Sequence, residues 1–415
     1  MATQRVFQDM LNDYLSNDLL REELVKRDYI LQNIEKDDGW KGGPQIVPFR
    51  GAGASSVSFG SLTDSTDIAQ SKYVRGEVTT QREIWGSLIF NHRDLMEHDK
   101  LSEQNFLKVL PDEIEDFIDY VKGVLSTNLL IGAHFAKLTA DATLNDGNIT
   151  VDRPDRFLID QKVIVDDDNS APLTGYVKTI NMNTRVVNLV TTRGGVTVVD
   201  FSANNMTVAQ NAKTFHPGSQ TDAFASIRDA LLSLANGGSA NLYGQSKLGY
   251  PYLQAINVLG SDITAANIMS KIFDALVTVR QLGKGNPTEV VMSYKNLGSC
   301  MKAIEASKGA FNVSPGSQKA SQYGWMELSV GSVTKGMLKL VGVQEADDDV
   351  IMFIDWRALK FSSNGFFKKR MSPDGREYYE VRATSGYQYI VDTCCFGELI
   401  VKRPSYCGIL FGINY

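Results

Sequence analysis

Between Pro111 and Ala140, apolar residues recur at Ile114, Phe117, Val121, Val124, Ile131, Phe135 and Leu138, a helical stripe interrupted at Asn128. Pro111 stands where a first helical residue can dispense with its N–H. Asp112, Glu113, Glu115 and Asp116 fill the turn where the helix dipole favours anions. At about 1.5 Å per residue the spacing predicts a rod of roughly 40–45 Å. Such a rod is longer than a small domain is wide. It is either a long core helix or the backbone of an extended subunit, and length alone does not choose.

The flanking segments narrow the choice. Val6, Met10, Tyr14, Leu20, Leu24 and Ile30-Leu31 step by threes and fours, which predicts an amphipathic helical arm. Asp38-Gly-Trp-Lys-Gly-Gly-Pro ends it. An arm of this kind has to lay its apolar face on its own body or on a neighbour. Next come small polar residues from Gly51, turn chemistry at Thr63-Asp-Ser-Thr-Asp, and strand-like runs from Lys72 to Thr80 and from Glu83 to Phe90. This β-excursion has too little apolar content for a core of its own, so it is expected to project.

From 148 to about 212 the pattern is all-β. Runs at Phe157–Val165, Gly175–Asn181, Arg185–Thr192 and Val196–Phe201 alternate with Asp/Asn/Gly turns, as in a small antiparallel barrel or sandwich inserted into a host. Beyond 220 the reading is mixed. Helices are expected over Ala223–Ala235, Thr264–Leu282 and Lys295–Ser307, with a buried strand at Glu289-Val-Val-Met. Short strands follow over 326–361, and the tail from Tyr378 to Tyr415 is β-rich.

The chemistry that would make an enzyme is missing. His92-Arg-Asp-Leu has a kinase look, but the position for the metal-binding Asn holds Asp99, and no Asp-Phe-Gly accompanies it. Gly51-Ala-Gly meets Ser56 where a dinucleotide fingerprint needs its third glycine, and Gly283-Lys-Gly lacks the phosphate-loop hydroxyl. His92, His98, His134 and His216 form no metal-ligand spacing, and His134 reads as a structural residue inside the long helix. Asp166-Asp-Asp-Asn and Asp347-Asp-Asp lack the alternation of a calcium loop and read as solvated turns. No catalytic, cofactor-binding or metal-ligating residue is assigned, and no cofactor is expected.

Composition bounds the partners. The 415 residues carry 42 Lys+Arg against 48 Asp+Glu, a net charge of −6, which opposes a surface built to grip nucleic acid. The basic pieces Phe367-Lys-Lys-Arg and Lys402-Arg403 are too short to reverse that. No apolar run approaches the ~20 residues that span a bilayer, so no membrane partner is expected. The N-terminus reads as lacking a secretory signal. Cys300, Cys394, Cys395 and Cys407 read as reduced, buried thiols.

The order of parts (arm, polar β-excursion, rod with an acidic start, α/β region, β-rich return) resembles the major capsid proteins of tailed bacteriophages with the HK97-type fold. The resemblance covers essentially the whole chain and rests on architecture rather than on a short motif. It implies an α+β, HK97-like capsid fold with an inserted small β-domain. The implied division is an N-terminal arm over 1–50, an extended loop over 51–95, and a peripheral domain with the spine helix, Pro111 to Ala140, over 96–147. A β-rich insertion follows over 148–212, a mainly axial domain over 213–365, and peripheral return strands with the C-terminal strand over 366–415.

The function it implies is a non-enzymatic major capsid protein, self-assembling into the pentamers and hexamers of an icosahedral head around double-stranded DNA. Non-specific contact with packaged DNA and portal, scaffolding and decoration proteins are the implied partners. The virion is the implied location, with assembly in the host cytoplasm. In the fold's namesake, subunits are fused by Lys–Asn isopeptide bonds from the extended loop. Lys72 is the sole lysine between Gly51 and Phe90, no acidic pocket can be assigned beside it, and cross-linking is not expected. The rival readings are an encapsulin-type compartment shell and, from another class, a monomeric ligand-binding protein or enzyme with a β-barrel module.

Overall fold

A computed structural model describes residues 28–40, 43–52, 72–79, 81–91, 103–168, 170–202, 206–207, 212–283, 285–306, 313–314, 327–332, 336–364, 368–369, 379–383 and 386–413. Most of the expected arm helix and the Thr63–Asp67 turn lie outside these. Asp28 caps a short helix, α1 (Tyr29–Asn33), by accepting from the Leu31 N–H at 2.7 Å, and α1 buries Ile30 and Leu31. The chain then extends into β1 (Glu35–Asp37), which pairs in parallel with the strand at Leu359–Ser363. Here the helical expectation fails, because Glu35 to Asp37 gain a sheet edge and Asp37 gains the Lys360 ammonium.

β2 (Gln45–Ala52) and β3 (Lys72–Val78) form a two-stranded antiparallel ribbon, with Gln45 opposite Val78 and Arg50 opposite Tyr73. Its pleat separates two faces. Val47, Phe49 and Val78 are buried, whereas Ile46 and Tyr73 are exposed. The ribbon starts at Gln45, ahead of the expected Gly51. The second expected strand, β4 (Arg82–Asn91), leaves it to pair with the long strand at Gly386–Val401.

The long helix, α2, runs Glu103–Ile131, 29 residues or about 43 Å. Its length matches the expectation but its frame lies about eight residues earlier, so Pro111 is interior rather than first. Phe106, Leu107, Val109 and Leu110 continue the apolar phase upstream, and an interior proline removes only one backbone bond. The helix stops at Gly132, whose φ of +108° few other residues adopt. Asn128, the break in the stripe, is the stopper's partner. Its amide donates to the Gly132 carbonyl at 3.2 Å, and its oxygen accepts from Phe224 N–H at 2.9 Å. His134, Phe135 and Leu138 therefore lie beyond the helix.

They begin a six-stranded sheet of β5 (His134–Lys137), β6 (Asn148–Thr150), β7 (Lys162–Asp166), β8 (Leu173–Asn181), β9 (Val186–Val190) and β10 (Lys213–Phe215), in the order β5-β10-β7-β8-β9-β6. All its pairs are antiparallel. A bridge between Leu138 and Val151, backed by Thr139 N–H to Thr150 carbonyl at 2.8 Å, joins the two end strands and closes a small barrel. It has its own core, including Phe135, Val163, Val177, Leu189 and Phe201. The expected strand at 196–201 is reduced to a Val190–Val198 bridge with backbone hydrogen bonds such as Val199 N–H to the Leu189 carbonyl at 3.0 Å, and the segment delivers Phe201 to the barrel interior.

The expected helix over 223–235 is interrupted. After α3 (Ser219–Asp222) comes α4 (Ile227–Leu231), capped by Ser226. It ends where Lys247 Nζ binds the carbonyls of Asp229 at 3.0 Å and Leu232 at 2.9 Å. A tight hairpin, β11 (Asn241–Leu242) and β12 (Gln245–Ser246), leads to β13 (Ile256–Leu259). Then come α5 (Ile268–Gly283), β14 (Glu289–Met292), α6 (Tyr294–Ala306), β15 (Val313–Ser314), β16 (Glu327–Ser332), β17 (Gly336–Gly342) and β18 (Val350–Ile354). The chain closes with β19 (Leu359–Ser363), β20 (Lys368–Lys369), β21 (Tyr379–Ala383), β22 (Gly386–Val401) and β23 (Gly408–Phe411).

Two sheets result. The first, β13-β23-β18-β14-β17-β16-β15, carries α5 and α6 on one face, with Ile272, Leu276, Val279 and Leu297 packed on Val290, Leu340 and Phe353. Its other face, with Val291 and Met352, shares a core with α1, the last turns of α2 and the ribbon's inner side. The second sheet is built on β22, which pairs with β19, β20, β21 and β4, and α2 lies against β4. The architecture is mixed α+β, with a closed β-barrel between the long helix and the first sheet's strands.

Candidate functional site

The densest constellation of ionisable groups is a buried ionic cluster where the barrel meets the body. Asp347, in the loop between β17 and β18, is 4% exposed. One oxygen, Oδ2, lies 2.8 Å from Lys137 Nζ, 3.2 Å from Arg228 Nη1 and 3.4 Å from His134 Nε2. Asp349 Oδ2 takes Lys137 Nζ and Arg228 Nη2 at 3.1 Å each. Burial alone would raise the Asp347 carboxyl, but Lys137, His134 and Arg228 outweigh it and hold it well below the usual range. Burial holds the His134 imidazole below its ordinary value, against the pull of Asp347.

The Asp347 and Asp349 carboxylates thus share the Lys137 ammonium and the Arg228 guanidinium. The sequence reading of Asp347-Asp-Asp as a solvated turn is corrected at Asp347, and that of His134 as a helix residue is corrected to strand β5. Chemically the cluster is a lock: it ties β5, α4 and the 343–349 loop together. No group of His, Cys, Asp and Glu able to hold a metal occurs among the described residues.

Beside it, a cleft of about 670 Å³ opens between α2, the start of β4 and the barrel, lined by Tyr120, Lys122, Trp85, His216 and Glu345 among others. His216 stacks on Phe135 with centroids 4.3 Å apart, and burial pushes its imidazole down to about 4. Burial raises the Tyr120 phenol to about 12 and also raises the Glu345 carboxyl.

The remaining sequence candidates disperse. His92 lies outside the described residues, as does Ser56. Lys72 opens β3 opposite Ala52, at the far end of the described ribbon. In the first acidic run, Asp166 and Asp167 accept turn hydrogen bonds from the backbone N–H groups of Asp168 and Ser170, and the solvated-turn reading is corrected at Asp167, which is buried. All four cysteines are buried, and burial pushes the Cys300 and Cys407 thiols up to about 12. Sequence reasoning missed Lys137 and Arg228; the available signal was Lys137, a charge in the otherwise buried run His134-Phe-Ala-Lys. No helix among the described residues is long and apolar enough to cross a membrane.

No protein-family model matches the chain, and neither does any curated protein sequence. Solved structures similar to it include capsids. The capsid of cyanophage A-1(L) is 10% identical over 92% of this chain and 91% of that one, with a TM-score of 0.48. The capsid of a native GTA particle is 10% identical over 92% and 89%, with a TM-score of 0.46. The procapsid of satellite phage P4, which includes the size determination protein Sid, is 11% identical over 100% and 98%, with a TM-score of 0.42.

Proposed function

We propose that this chain is a major capsid protein with no catalytic role, which self-assembles into the hexamers and pentamers of an icosahedral head enclosing double-stranded DNA. The observation that carries the reading is the β2–β3 ribbon. It is a two-stranded sheet of its own, with Ile46 50% and Tyr73 71% exposed on its outer side. Its inner side packs on the body, whereas its outer side leaves large apolar and aromatic side chains in water, as a ribbon that lies against a neighbour would. Trp85 and Ile89 of β4 add exposed apolar positions that a second copy would cover.

In this reading α2 is the spine, the seven-stranded sheet is the core of the axial domain, and β19 to β22 are the peripheral return. The barrel from His134 to Phe215 is an insertion carried by the lock at Asp347. Packaged DNA, a portal, a scaffolding protein and a decoration protein are its proposed partners, and the virion its location. Sedimentation and negative-stain imaging test it. Spherical megadalton particles are expected, and nucleic acid inside them separates a phage head from a compartment shell. A stable 45.8 kDa monomer at high concentration would sink the proposal.

A further inference from the structure

The ribbon is held to the body by the β11–β12 hairpin. Its two turn residues are Tyr243, at φ +50°, and Gly244, at φ +77°. Both central positions of such a tight hairpin need positive φ, which Asn and Gly adopt easily and tyrosine does not. A strained tyrosine persists only where its surroundings over-determine it. Its surroundings here are specific. The phenol O–H donates to the Leu399 carbonyl at 3.0 Å and accepts from the Val401 N–H at 2.7 Å. It thus occupies the edge of β22 opposite β19 as a neighbouring strand would.

On its other side Tyr243 holds the ribbon. Its ring stacks on Phe49 of β2, with centroids 5.7 Å apart and planes 6° from parallel. Its carbonyl accepts from the Glu77 N–H of β3 at 3.0 Å, and the neighbouring Gln245 amide donates to the Arg75 carbonyl at 2.9 Å. A Cβ at Gly76 would fall 2.4 Å from the Phe49 ring and 3.2 Å from Tyr243 Cβ, so only glycine lets the three pieces close. Burial raises the phenol well above its ordinary range, so it remains a donor across the working pH range.

We propose that Tyr243 is a positioning residue: the 241–246 hairpin pins the β2–β3 ribbon at a fixed angle to the β22 sheet, and that angle sets the direction in which the ribbon meets a second copy of the chain. The second half of this proposal rests on the capsid reading; the first half does not. Backbone strain at Tyr243 is the local cost of placing one side chain on two sheets at once. A ribbon held only by its own two strands would sample many angles.

Hydrogen exchange on the dissociated subunit, followed by assembly of the same preparations, tests both halves. Tyr243→Phe removes the β22 bonds and keeps the stack. Tyr243→Gly removes both and relieves the strain. Gln245→Ala cuts a ribbon bond without touching β22, and remains usable if the Tyr243 variants fold poorly. The expected result is exchange at Glu77 and its ribbon neighbours at least about tenfold faster in Tyr243→Gly, with β14 and β18 unchanged. Smaller ribbon-only effects are expected in the other two variants, and particles of mixed size or open sheets in all three.

Unchanged ribbon exchange overturns the pin, and so does exchange that rises equally in β14 and β18. Faster ribbon exchange with uniform, normal particles overturns the assembly role. If the unaltered chain forms no particles, it is the capsid reading that fails, and the exchange result still decides the pin.

Discussion

Replacing Asp347 tests whether the ionic cluster is a lock or an ornament. Its carboxylate is the shared counter-charge of Lys137 at 2.8 Å and Arg228 at 3.2 Å, with His134 at 3.4 Å. In Asp347→Ala two cations remain beneath the surface with one carboxylate, Asp349, still 3.1 Å from each. Breaking a buried ion pair from one side costs roughly 3–5 kcal/mol, because the orphaned charge stays buried. Since Asp349 remains, the lower end applies, about 3 kcal/mol. Asp349→Ala removes a side chain that is 36% exposed and leaves Asp347 in place, so solvent screening holds its cost to about 1 kcal/mol. Urea unfolding of dissociated subunits measures the difference. Limited proteolysis at the barrel's junctions should report looser docking in Asp347→Ala alone. Equal midpoints for the two variants, or a loss under about 1 kcal/mol for Asp347→Ala, would refute the shared-counter-charge argument.

Four further substitutions probe the β4–β22 sheet and α2. Burial raises the Glu398 carboxyl to about 7 from an ordinary 4.5, against the Ala225 N–H and Arg82, so folding favours its protonated form. Its stabilising effect is complete below the ordinary value and is lost as pH rises through about 7. Thermal stability should therefore fall between pH 5 and 8 by on the order of 2–3 kcal/mol, and Glu398→Gln should flatten that slope; parallel profiles would contradict it. In Gly86→Ala the new methyl would sit 3.0 Å from Phe117 Cζ and 3.1 Å from Val121 Cγ2, forcing α2 from β4. A loss of about 1–3 kcal/mol is expected in thermal melts, and an unchanged melt would show slack in that contact. Val121 is buried while Asp119 is exposed beside Lys122 at 3.8 Å. Val121→Asp should abolish soluble yield, whereas Asp119→Ala should cost less than about 0.5 kcal/mol; equal yields would mean that the buried face is misplaced.

What could be read from the sequence was what repeats locally. The apolar stripe predicts the long helix's length, and Asn/Asp/Gly turns at regular spacing predict an antiparallel barrel or sandwich, of which the structure shows the barrel. The short buried strand at Glu289–Met292 and the helix near Lys295 follow the same logic, since each is set by a few adjacent residues. The spine's frame was lost because Pro111 and the acids after it imitate a helix start, while the upstream apolar residues carry the same phase. β4 was assigned to the projecting loop because nothing local to Arg82–Asn91 distinguishes pairing with β3 from pairing with a strand some 300 residues later.

The side chains that organise the molecule are the ones that violate a local rule. Asp347 is an acid in a loop run that should be solvated, and it is buried. Tyr243 is an aromatic residue at a turn position that should hold Asn or Gly. Asn128 interrupts an apolar stripe, yet it closes the helix end. Each is unfavourable in its own segment and is compensated in part by partners distant in the chain: Lys137 and Arg228 for Asp347, Leu399 and Val401 for Tyr243, Phe224 for Asn128. Propensity and periodicity cannot see such compensation, because it resides in contacts across 90 to 210 residues of chain. Natural folds concentrate these conflicts where parts must be held at fixed angles. Here those places are the junctions of barrel to body, ribbon to sheet and long helix to its following loop.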